Sequence, residues 1–473
     1  MRLARNRRAN KMGASRFSPR LFWLILADAA ILYGGVILAM YLRLGISGSE
    51  NELDTKNGWL KIALVSGVCL LILYFYDLYD YVVMTNRREL MLRLVQALGI
   101  AWALLAFIFY FVPDMLIGRG VSVISVPLVL VLLLGWRIGI HSLTGHPGVG
   151  EKILVVGTGQ TALDTAEAVW ERRDAGYRIA GFVSENGAKP REKLGRSEIL
   201  GKAIDLEQVI RDEKIDRVVI AVRERRGAFP TEALLKMSLA GDVSIEECTS
   251  FFERITGKVH VDMLSPSWLI FAGRRRDSPV KVVFRESSHR LMALVGLVLS
   301  LPIALLTAIL IKIDSRGPIF YKQERMGKSG RIFNVLKFRS MKTDAEADGT
   351  PIWAATNDQR TTRVGKVIRK LRIDEIPQFW NILKGEMNFV GPRPERPHFV
   401  KQLATEIPYF EHRHLVAPGL TGWAQIKYPY GASVADAIQK LQYDLYYIKN
   451  QSLTLDMVIV FETIKTVLFG KGR

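Results

Sequence analysis

Cysteine is almost absent from this chain, since its 473 residues include only Cys69 and Cys248. Cys69 lies in an apolar run and Cys248 in a distant polar region, which argues for two buried thiols and against a disulfide. Neither has a histidine or cysteine neighbour at metal-site spacing. No Tyr-x-x-x-Lys pair occurs, which excludes the proton-transfer pair that this spacing provides. No basic tract is interleaved with aromatics outside the apolar segments, so we expect no nucleic-acid partner.

Acidic residues are also scarce: 65 Lys and Arg against 46 Asp and Glu give a net charge of +19. The hydrophobic fraction is 49% although 23% of the residues are charged, and the mean hydropathy is +0.14. These values fit a chain whose apolar residues are gathered into membrane segments. The basic surplus suits anionic lipid headgroups or phosphorylated substrates. The length predicts about three domains.

Four apolar runs occupy the first part of the chain, at 21–42, 62–76, 94–113 and 120–136. A membrane-crossing helix needs about 20 residues, which the runs reach with their flanks. We therefore predict a four-span helical bundle over 1–145. Asp28 interrupts the first run, and because no intramembrane cation is evident to pair with it, helix packing is favoured over a functional carboxylate. The loop distribution of Lys and Arg places the amino terminus and everything after Arg137 in the cytoplasm.

The segment 146–272 alternates strand and helix patterns and predicts a Rossmann-like domain. Gly157, Gly159 and Ala162 fit the form G-x-G-x-x-A between a buried strand and a helix start. Glycines there permit a tight turn, and the helix amino terminus would face a phosphate. The signal is weak by itself, because many doubly wound domains keep the turn without a ligand. Nucleotide binding is the alternative to a structural or regulatory role.

A fifth apolar run, 291–311, is free of charge and contains Pro302 at its middle. Both flanks are strongly basic, so both should stay on the cytoplasmic face. Pro302 can bend the helix back, and Ser300 could satisfy a freed carbonyl. We predict a re-entrant helix–break–helix over about 290–312 rather than a full span.

Asp374 and Glu375 are adjacent carboxylates just ahead of Pro377, a residue favoured where helices begin. Two such acids can share Mg²⁺, which takes oxygen ligands and bridges to substrate phosphates, while one of them attacks phosphorus. A set of basic residues could neutralise a pyrophosphate: Lys337, Arg339, Arg372 and Arg393. The alternative is an acidic helix cap with solvated basic neighbours.

The motifs around this pair occur in one order over 290–473. They are Gln323-Glu-Arg325, Lys337-Phe-Arg-Ser-Met341, Leu371-Arg-Ile-Asp-Glu-Ile-Pro-Gln378, Val390-Gly-Pro-Arg-Pro394, Pro418-Gly-Leu-Thr-Gly422 and Tyr443-Asp-Leu-Tyr-Tyr447. Together they resemble the bacterial sugar transferase family, the polyprenyl-phosphate hexose-1-phosphate transferases. The spans and the Rossmann-like middle are similar to the large members of that family. An α-rich catalytic domain over 273–473 is implied.

The resemblance implies transfer of hexose 1-phosphate from a UDP-sugar to undecaprenyl phosphate, which starts exopolysaccharide, capsule or O-antigen assembly. Asp374 would be the nucleophile and would carry the phosphosugar, and Glu375 would help to hold Mg²⁺. Arg325 would join Lys337, Arg339, Arg372 and Arg393 at the substrate phosphates. The implied location is the bacterial inner membrane, multi-pass, with a cytoplasmic catalytic domain and a homodimer through the middle region.

One position departs from the family pattern. The family usually has Lys-Arg-x-x-Asp where this chain has His289-Arg-Leu-Met-Ala293. The missing acid puts in doubt an Arg–Asp pair that anchors the membrane helix at the interface, but does not affect the predicted catalytic residues.

Two other functions fit parts of the sequence. A membrane-bound sugar-nucleotide dehydratase or epimerase shares four spans followed by a Rossmann domain, but it needs the Tyr-x-x-x-Lys pair that this chain lacks. A non-catalytic scaffold of the polysaccharide assembly machinery would have little reason to keep both Asp374 and Glu375.

Overall fold

The computed structural model describes residues 19–55, 57–79, 87–144, 151–172, 176–185, 191–222, 231–241, 243–261, 278–343, 360–428, 431 and 433–468. The chain packs as two compact units. The first comprises Met1–Gly157, Val169–Val218 and Glu224–Ile245; the second comprises Thr158–Ala168, Val219–Arg223 and Glu246–Arg473. The two sequence-based domain boundaries, at 145/146 and 272/273, both lie outside the described residues and remain predictions.

The first unit begins with four helices: α1 (Pro19–Thr55), α2 (Gly58–Phe75), α3 (Arg87–Phe111) and α4 (Arg119–Thr144). Their segments Phe22–Thr55, Gly58–Phe75, Glu89–Phe111 and Gly120–Gly139 are each long and apolar enough to cross a membrane. The four helices share one apolar core, to which they contribute residues such as Leu32, Met40, Ile62, Leu73, Leu94, Leu105 and Leu133. Each predicted apolar run is thus helical.

A buried ion pair joins the first and fourth of these helices. Arg137 on α4 contacts Asp28 on α1 at 2.5 Å, and both side chains are almost fully buried. Arg137 also donates to the Leu78 carbonyl oxygen and lies over the ring of Tyr79. The prediction that no intramembrane cation pairs with Asp28 is therefore wrong. Arg137 directly follows the fourth apolar run, where the sequence pattern ends the span, so it does not stand out as an intramembrane cation.

The middle of the chain forms a six-stranded sheet in the order β3-β4-β2-β1-β5-β6. Its strands are β1 (Glu151–Val156), β2 (Tyr177–Ser184), β3 (Lys193–Leu194), β4 (Ser197–Lys202), β5 (Arg217–Ile220) and β6 (Ser244–Glu247), and its helices are α5 (Gln160–Glu171), α6 (Leu206–Asp212), α7 (Thr231–Ala240) and α8 (Cys248–Thr256). β2 runs parallel to both β1 and β4, with Ile153 opposite Ile179. The α/β alternation agrees with the sequence pattern.

The fifth apolar run lies in α9 (Pro279–Asp314), a single helix of 36 residues with Pro302 inside it. This differs from the predicted helix–break–helix, because a helix can resume its hydrogen bonding after a proline kink. The Ser300 hydroxyl donates to the Leu297 carbonyl oxygen at 3.2 Å. The carbonyl that Pro302 leaves without a donor is that of Val298, four residues earlier, so Ser300 does not take the part expected of it.

Both halves of α9 pack on other elements of the second unit. In its first half, Ala293 belongs to an apolar cluster with Ile382 and Met387. In its second half, Ile311 belongs to another cluster with Phe338. The rest of its apolar surface is exposed, including Leu291, Leu294, Val295, Val298, Leu299, Leu301, Ile303, Leu305, Leu306, Ile309, Leu310 and Ile313. An apolar face of this extent calls for a lipid or protein neighbour.

The remainder of the second unit is rich in helices, as predicted. β7 (Phe320–Met326) and β8 (Ile332–Phe338) form an antiparallel hairpin, and β9 (Asn388–Val390) pairs in parallel with β10 (Gly419–Thr421). The helices are α10 (Arg363–Lys370), α11 (Gln378–Lys384), α12 (Pro397–Glu406), α13 (Trp423–Lys427), α14 (Val434–Lys449) and α15 (Leu453–Leu468). α14 and α15 supply much of the core through Leu441, Leu445, Leu455 and Ile459.

Candidate active site

The Asp374–Glu375 pair lies in a short 3₁₀ turn (Ile373–Glu375) between α10 and α11. Thr362 caps the start of α10 by accepting a hydrogen bond from Gly365 N at 2.9 Å. The chain then leaves α10 through Arg372, which adopts a left-handed conformation with φ 55°. A non-glycine residue pays a conformational cost there, and such residues concentrate at functional sites. The turn is thus held between two helices and is entered through one residue with a strained backbone.

Glu375 is buried and surrounded by cations from three parts of the chain. Its Oε1 accepts from Lys337 of β8 at 3.3 Å and from Arg393 at 3.0 Å. Its Oε2 lies 3.5 Å from Arg372. Burial disfavours the ionised carboxylate, but Arg393, Lys337 and Arg372 together outweigh it and hold the pKa of Glu375 well below its usual range. Glu375 is therefore a fixed negative charge.

Asp374 differs from its neighbour although both are only 8% exposed. No group in the described part of the chain donates a hydrogen bond to its carboxylate. Burial raises its pKa; Lys337 opposes this rise and the charge of Glu375 adds to it. A carboxylate with a raised pKa and unoccupied lone pairs is a better nucleophile than one held in ion pairs. Of the two acids, only Asp374 is in this state.

A small cavity next to the turn is lined by three of the predicted phosphate-binding residues, Arg325, Lys337 and Arg393. Gln323 Oε1 accepts from Arg325 at 2.6 Å, and the Pro394 carbonyl oxygen accepts from Arg325 at 2.9 Å. Burial lowers the pKa of Arg325 to about 10, so Arg325 stays charged at neutral pH. These three basic side chains around one cavity favour an anion there. The cavity volume of about 10 Å³ is room for little more than one water molecule.

Arg339 lies apart from this group. Its guanidinium donates to the Arg316 carbonyl oxygen at 2.9 Å and to the Ser315 carbonyl oxygen and hydroxyl, each at 2.8 Å. These acceptors follow the end of α9, so the visible role of Arg339 is to hold that end. The structure therefore brings together Arg325, Lys337, Arg372 and Arg393, and it does not add Arg339.

Two polar side chains that the sequence analysis did not single out position this group. Asn381 on α11 accepts from Leu336 N at 3.0 Å and donates to the Asn334 carbonyl oxygen at 2.8 Å, which fixes α11 against β8 beside Lys337. Gln425 on α13 accepts from Arg393 at 3.0 Å. Gln425 lies three residues after the Pro418–Gly422 motif and Asn381 three residues after the Leu371–Gln378 motif, so both stand outside the motifs.

The turn can hold a cation only with help from other ligands. Among the described residues, no cluster of three or more His, Cys, Asp or Glu side chains could hold a metal. Mg²⁺ commonly keeps several waters and uses one or two carboxylates plus substrate phosphates. Asp374 and Glu375 fit that pattern as a pair of adjacent oxygen donors, although Glu375 already faces three cations.

The predicted nucleotide turn is formed, but its ligand remains a prediction. Gly157 follows β1 with φ +122°, a conformation that favours glycine. Gly159 immediately precedes α5, with open space where a Cβ would stand, and Ala162 is fully buried in that helix.

Comparison with known proteins assigns the chain to a family. Residues 280–470 match the family described as bacterial sugar transferase, and residues 74–228 match a CoA-binding domain. The "Exopolysaccharide production protein PSS" of Rhizobium leguminosarum bv. phaseoli is 37% identical over 200 residues, which cover 40% of this chain and 98% of that protein. The chain belongs to the bacterial sugar transferase family.

Two other relatives match longer stretches of the chain. The UDP-N-acetylgalactosamine-undecaprenyl-phosphate N-acetylgalactosaminephosphotransferase of Aeromonas hydrophila is 43% identical over 259 residues, 55% of this chain and 60% of the relative. The undecaprenyl-phosphate glucose phosphotransferase of Komagataeibacter xylinus is 34% identical over 347 residues, 70% of this chain and 62% of the relative. The matched region of this family member thus spans less than two thirds of either relative's length.

Proposed function

We propose that this protein transfers a hexose 1-phosphate from a UDP-sugar to undecaprenyl phosphate through a phosphosugar carried on Asp374. The observation that carries the proposal is the contrast within the acidic pair. Glu375 is held ionised by three cations, whereas Asp374 is buried and has a raised pKa. The names of the relatives from Aeromonas hydrophila and Komagataeibacter xylinus support the same class of reaction.

The chemistry follows in two displacements at phosphorus. A carboxylate oxygen of Asp374 attacks the β-phosphorus of the UDP-sugar, the bond between that phosphorus and the bridging oxygen breaks, and UMP leaves with the bridging oxygen. An oxygen of undecaprenyl phosphate then attacks the same phosphorus and releases the Asp374 carboxylate. Arg325, Lys337 and Arg393 stabilise the charge that develops on the phosphoryl oxygens in both steps.

Glu375 keeps its cationic partners in place, because Lys337 and Arg393 both donate to its Oε1. Asp374 and Glu375 would hold Mg²⁺ together with the substrate phosphates. When bound, the ion would neutralise negative charge between the nucleophile and the phosphates.

The proposed setting is the cytoplasmic face of the inner membrane. Both halves of α9 pack on the same catalytic unit, and the helix exposes an apolar face between two basic flanks. A helix attached to one domain at both ends cannot place its ends on opposite sides of a bilayer. The re-entrant arrangement, in which α9 dips into the inner leaflet, is therefore part of the proposal.

The decisive experiment measures UMP release by the detergent-solubilised protein with undecaprenyl phosphate, Mg²⁺ and a panel of UDP-sugars. We expect turnover with at least one sugar and a loss of about 10³-fold or more in Asp374→Asn. Glu406→Gln, which alters an exposed carboxylate on α12, is the matched control and should keep wild-type activity.

The intermediate is tested without the lipid acceptor. Intact-protein mass spectrometry should show a phosphohexose adduct on the wild-type protein and none on Asp374→Asn. UMP release that persists in Asp374→Asn would remove Asp374 as the nucleophile and leave the transferase assignment standing. Silence of the folded wild-type protein across the whole panel would contradict the transferase assignment.

The homodimer implied by the family resemblance is a separate part of the proposal. Light scattering of the same sample tests it.

A further inference from the structure

The loop that follows β9 carries Arg393, so its shape decides where the guanidinium stands beside Glu375. Arg393 donates to Glu375 Oε1 and to Gln425 Oε1, each at 3.0 Å. Gly391, in the same loop, packs so closely that an added Cβ would lie 2.5 Å from the Ala417 carbonyl oxygen. A displacement of this loop would move a cation away from the proposed reaction centre.

One face of α14 holds both ends of the loop. The hydroxyl of Tyr447 lies 3.1 Å from the Val390 carbonyl oxygen, where the loop begins. At the other end, Arg413 donates to the Arg393 carbonyl oxygen at 3.1 Å and to Asp444 Oδ2 at 2.9 Å. Asp444 and Tyr447 are three residues apart, a spacing that puts both on one side of a helix.

These holding groups are too deeply buried to meet a substrate. Asp444 and Tyr447 are each 1% exposed and Arg413 is 6% exposed. Burial raises the pKa of Asp444 to about 6, against the opposing charge of Arg413. Removing one partner of such a buried contact leaves the other without its hydrogen bond, which costs more than the bond itself contributed. Any effect of these residues on the reaction must pass through the loop that they hold.

Tyr447 also connects the loop to α9. Its hydroxyl shares a three-centre contact with Asp456 Oδ1 of α15 at 2.8 Å. The other oxygen of Asp456 lies 3.5 Å from His289 Nε2 near the start of the apolar run. Asp456 and His289 are fully buried. The side chains of His289, Asp456 and Tyr447 thus form a row of close contacts from the helix with the exposed apolar face to the carbonyl at the start of the loop. The contact between His289 and Asp456 is not a hydrogen bond.

We propose that Asp444 and Tyr447 are positioning residues of the transfer reaction, which clamp the Val390–Arg393 loop at both ends so that Arg393 stays on Glu375. This rests on the proposed function. It gives the Tyr443-Asp-Leu-Tyr-Tyr447 motif a task at a distance from the substrate: Asp444 acts through Arg413, and Tyr447 acts directly on the backbone.

The test is a double-mutant cycle on kcat/KM for UMP release. Tyr447→Phe and Asp444→Asn are made in the wild-type background and again in Arg393→Ala. Because the clamp acts through Arg393, each substitution should lower kcat/KM about tenfold in the wild-type background and less than about twofold in Arg393→Ala. Equal losses in both backgrounds would mean that the two residues act independently of Arg393, and the clamp would be rejected.

A stability control separates positioning from folding. Ser433 accepts from Asp436 N in the capping box at the start of α14, so Ser433→Ala should lower the midpoint of thermal unfolding by weakening the same helix and leave kcat/KM near the wild-type value. Wild-type rates in Tyr447→Phe and Asp444→Asn would overturn the clamp, as would failure of both to fold, since the pair would then be structural. Wild-type protein that releases no UMP would instead count against the proposed function itself.

Discussion

At the scale of single residues, local conformation decides which basic side chains reach the acidic pair. Lys337 and Arg339 are two apart, so strand alternation would put them on one face. β8 ends at Phe338, however, and Arg339 turns away to the end of α9. The sequence likewise does not show that Asp374 and Glu375 differ in pKa, because the difference depends on cations that come from separate elements.

The acidic pair makes a prediction about pH. Asp374, the proposed nucleophile, must be ionised to attack, and burial raises its pKa, so the rate of the first displacement should fall as the pH drops through that raised value. Lys337 opposes the rise, so Lys337→Gln should move this acid limb to higher pH. Glu375 adds to the rise, so Glu375→Gln should move it to lower pH. Each variant should also lose about 10²-fold in maximal rate.

Single-turnover UMP release across a pH series measures both limbs. Shifts of the same sign in Lys337→Gln and Glu375→Gln would show that the acid limb does not report the ionisation of Asp374. Glu406→Gln, whose carboxylate is exposed on α12, should leave the limb in place and serves as the control for a general effect of lost charge.

At the scale of elements, hydropathy located the helices but not their ends or their partners. α1 extends to Thr55, but Gly45 inside it has a non-helical backbone (φ 72°) and divides it into two helical segments, so the first segment ends close to the apolar run that ends at 42. Neither the second segment nor the partner of Asp28 could be predicted from hydropathy. Arg137 stands 109 residues away in sequence, and pairing across a bundle is set by packing rather than by spacing.

The Asp28–Arg137 pair predicts how the bundle responds to unpaired charge. Asp28→Asn leaves Arg137 buried without its counter-charge, which should cost about 3–5 kcal/mol. The double substitution Asp28→Leu with Arg137→Met removes both charges and should cost much less. Thermal unfolding in detergent compares them. The half-exposed pair of Glu89 and Arg93 in the same bundle is the control, and Glu89→Gln should cost below about 1 kcal/mol. A double variant as unstable as Asp28→Asn would show that the pair itself, rather than an unpaired charge, is what the bundle needs.

At the scale of the whole molecule, the sequence predicted a membrane bundle, an α/β middle and a helix-rich catalytic region, and the element types agree. The path of α9 was harder to predict, because Pro302 can either break a helix or only kink it, and the structure keeps one helix. What favours a re-entrant path is tertiary: both halves of α9 pack on one unit. Basic flanks alone could not establish those contacts.

The membrane topology can be tested with a thiol reagent that does not cross membranes. Cys69 and Cys248 are buried and unbridged, as predicted, so they should react slowly, and labelling should report on the introduced cysteines.

Lys281 and Lys328 are exposed on the two sides of the apolar run, and Asn51 is exposed near the end of α1. Lys281→Cys and Lys328→Cys should be labelled only in inside-out vesicles, because both halves of α9 pack on the unit that is proposed to be cytoplasmic. Asn51→Cys should be labelled only in right-side-out spheroplasts, because the positive-inside rule places the end of α1 outside. Labelling of Lys281→Cys and Lys328→Cys from opposite sides would mean that α9 crosses the bilayer, and the catalytic turn would then lie on the face away from the cytoplasmic donor.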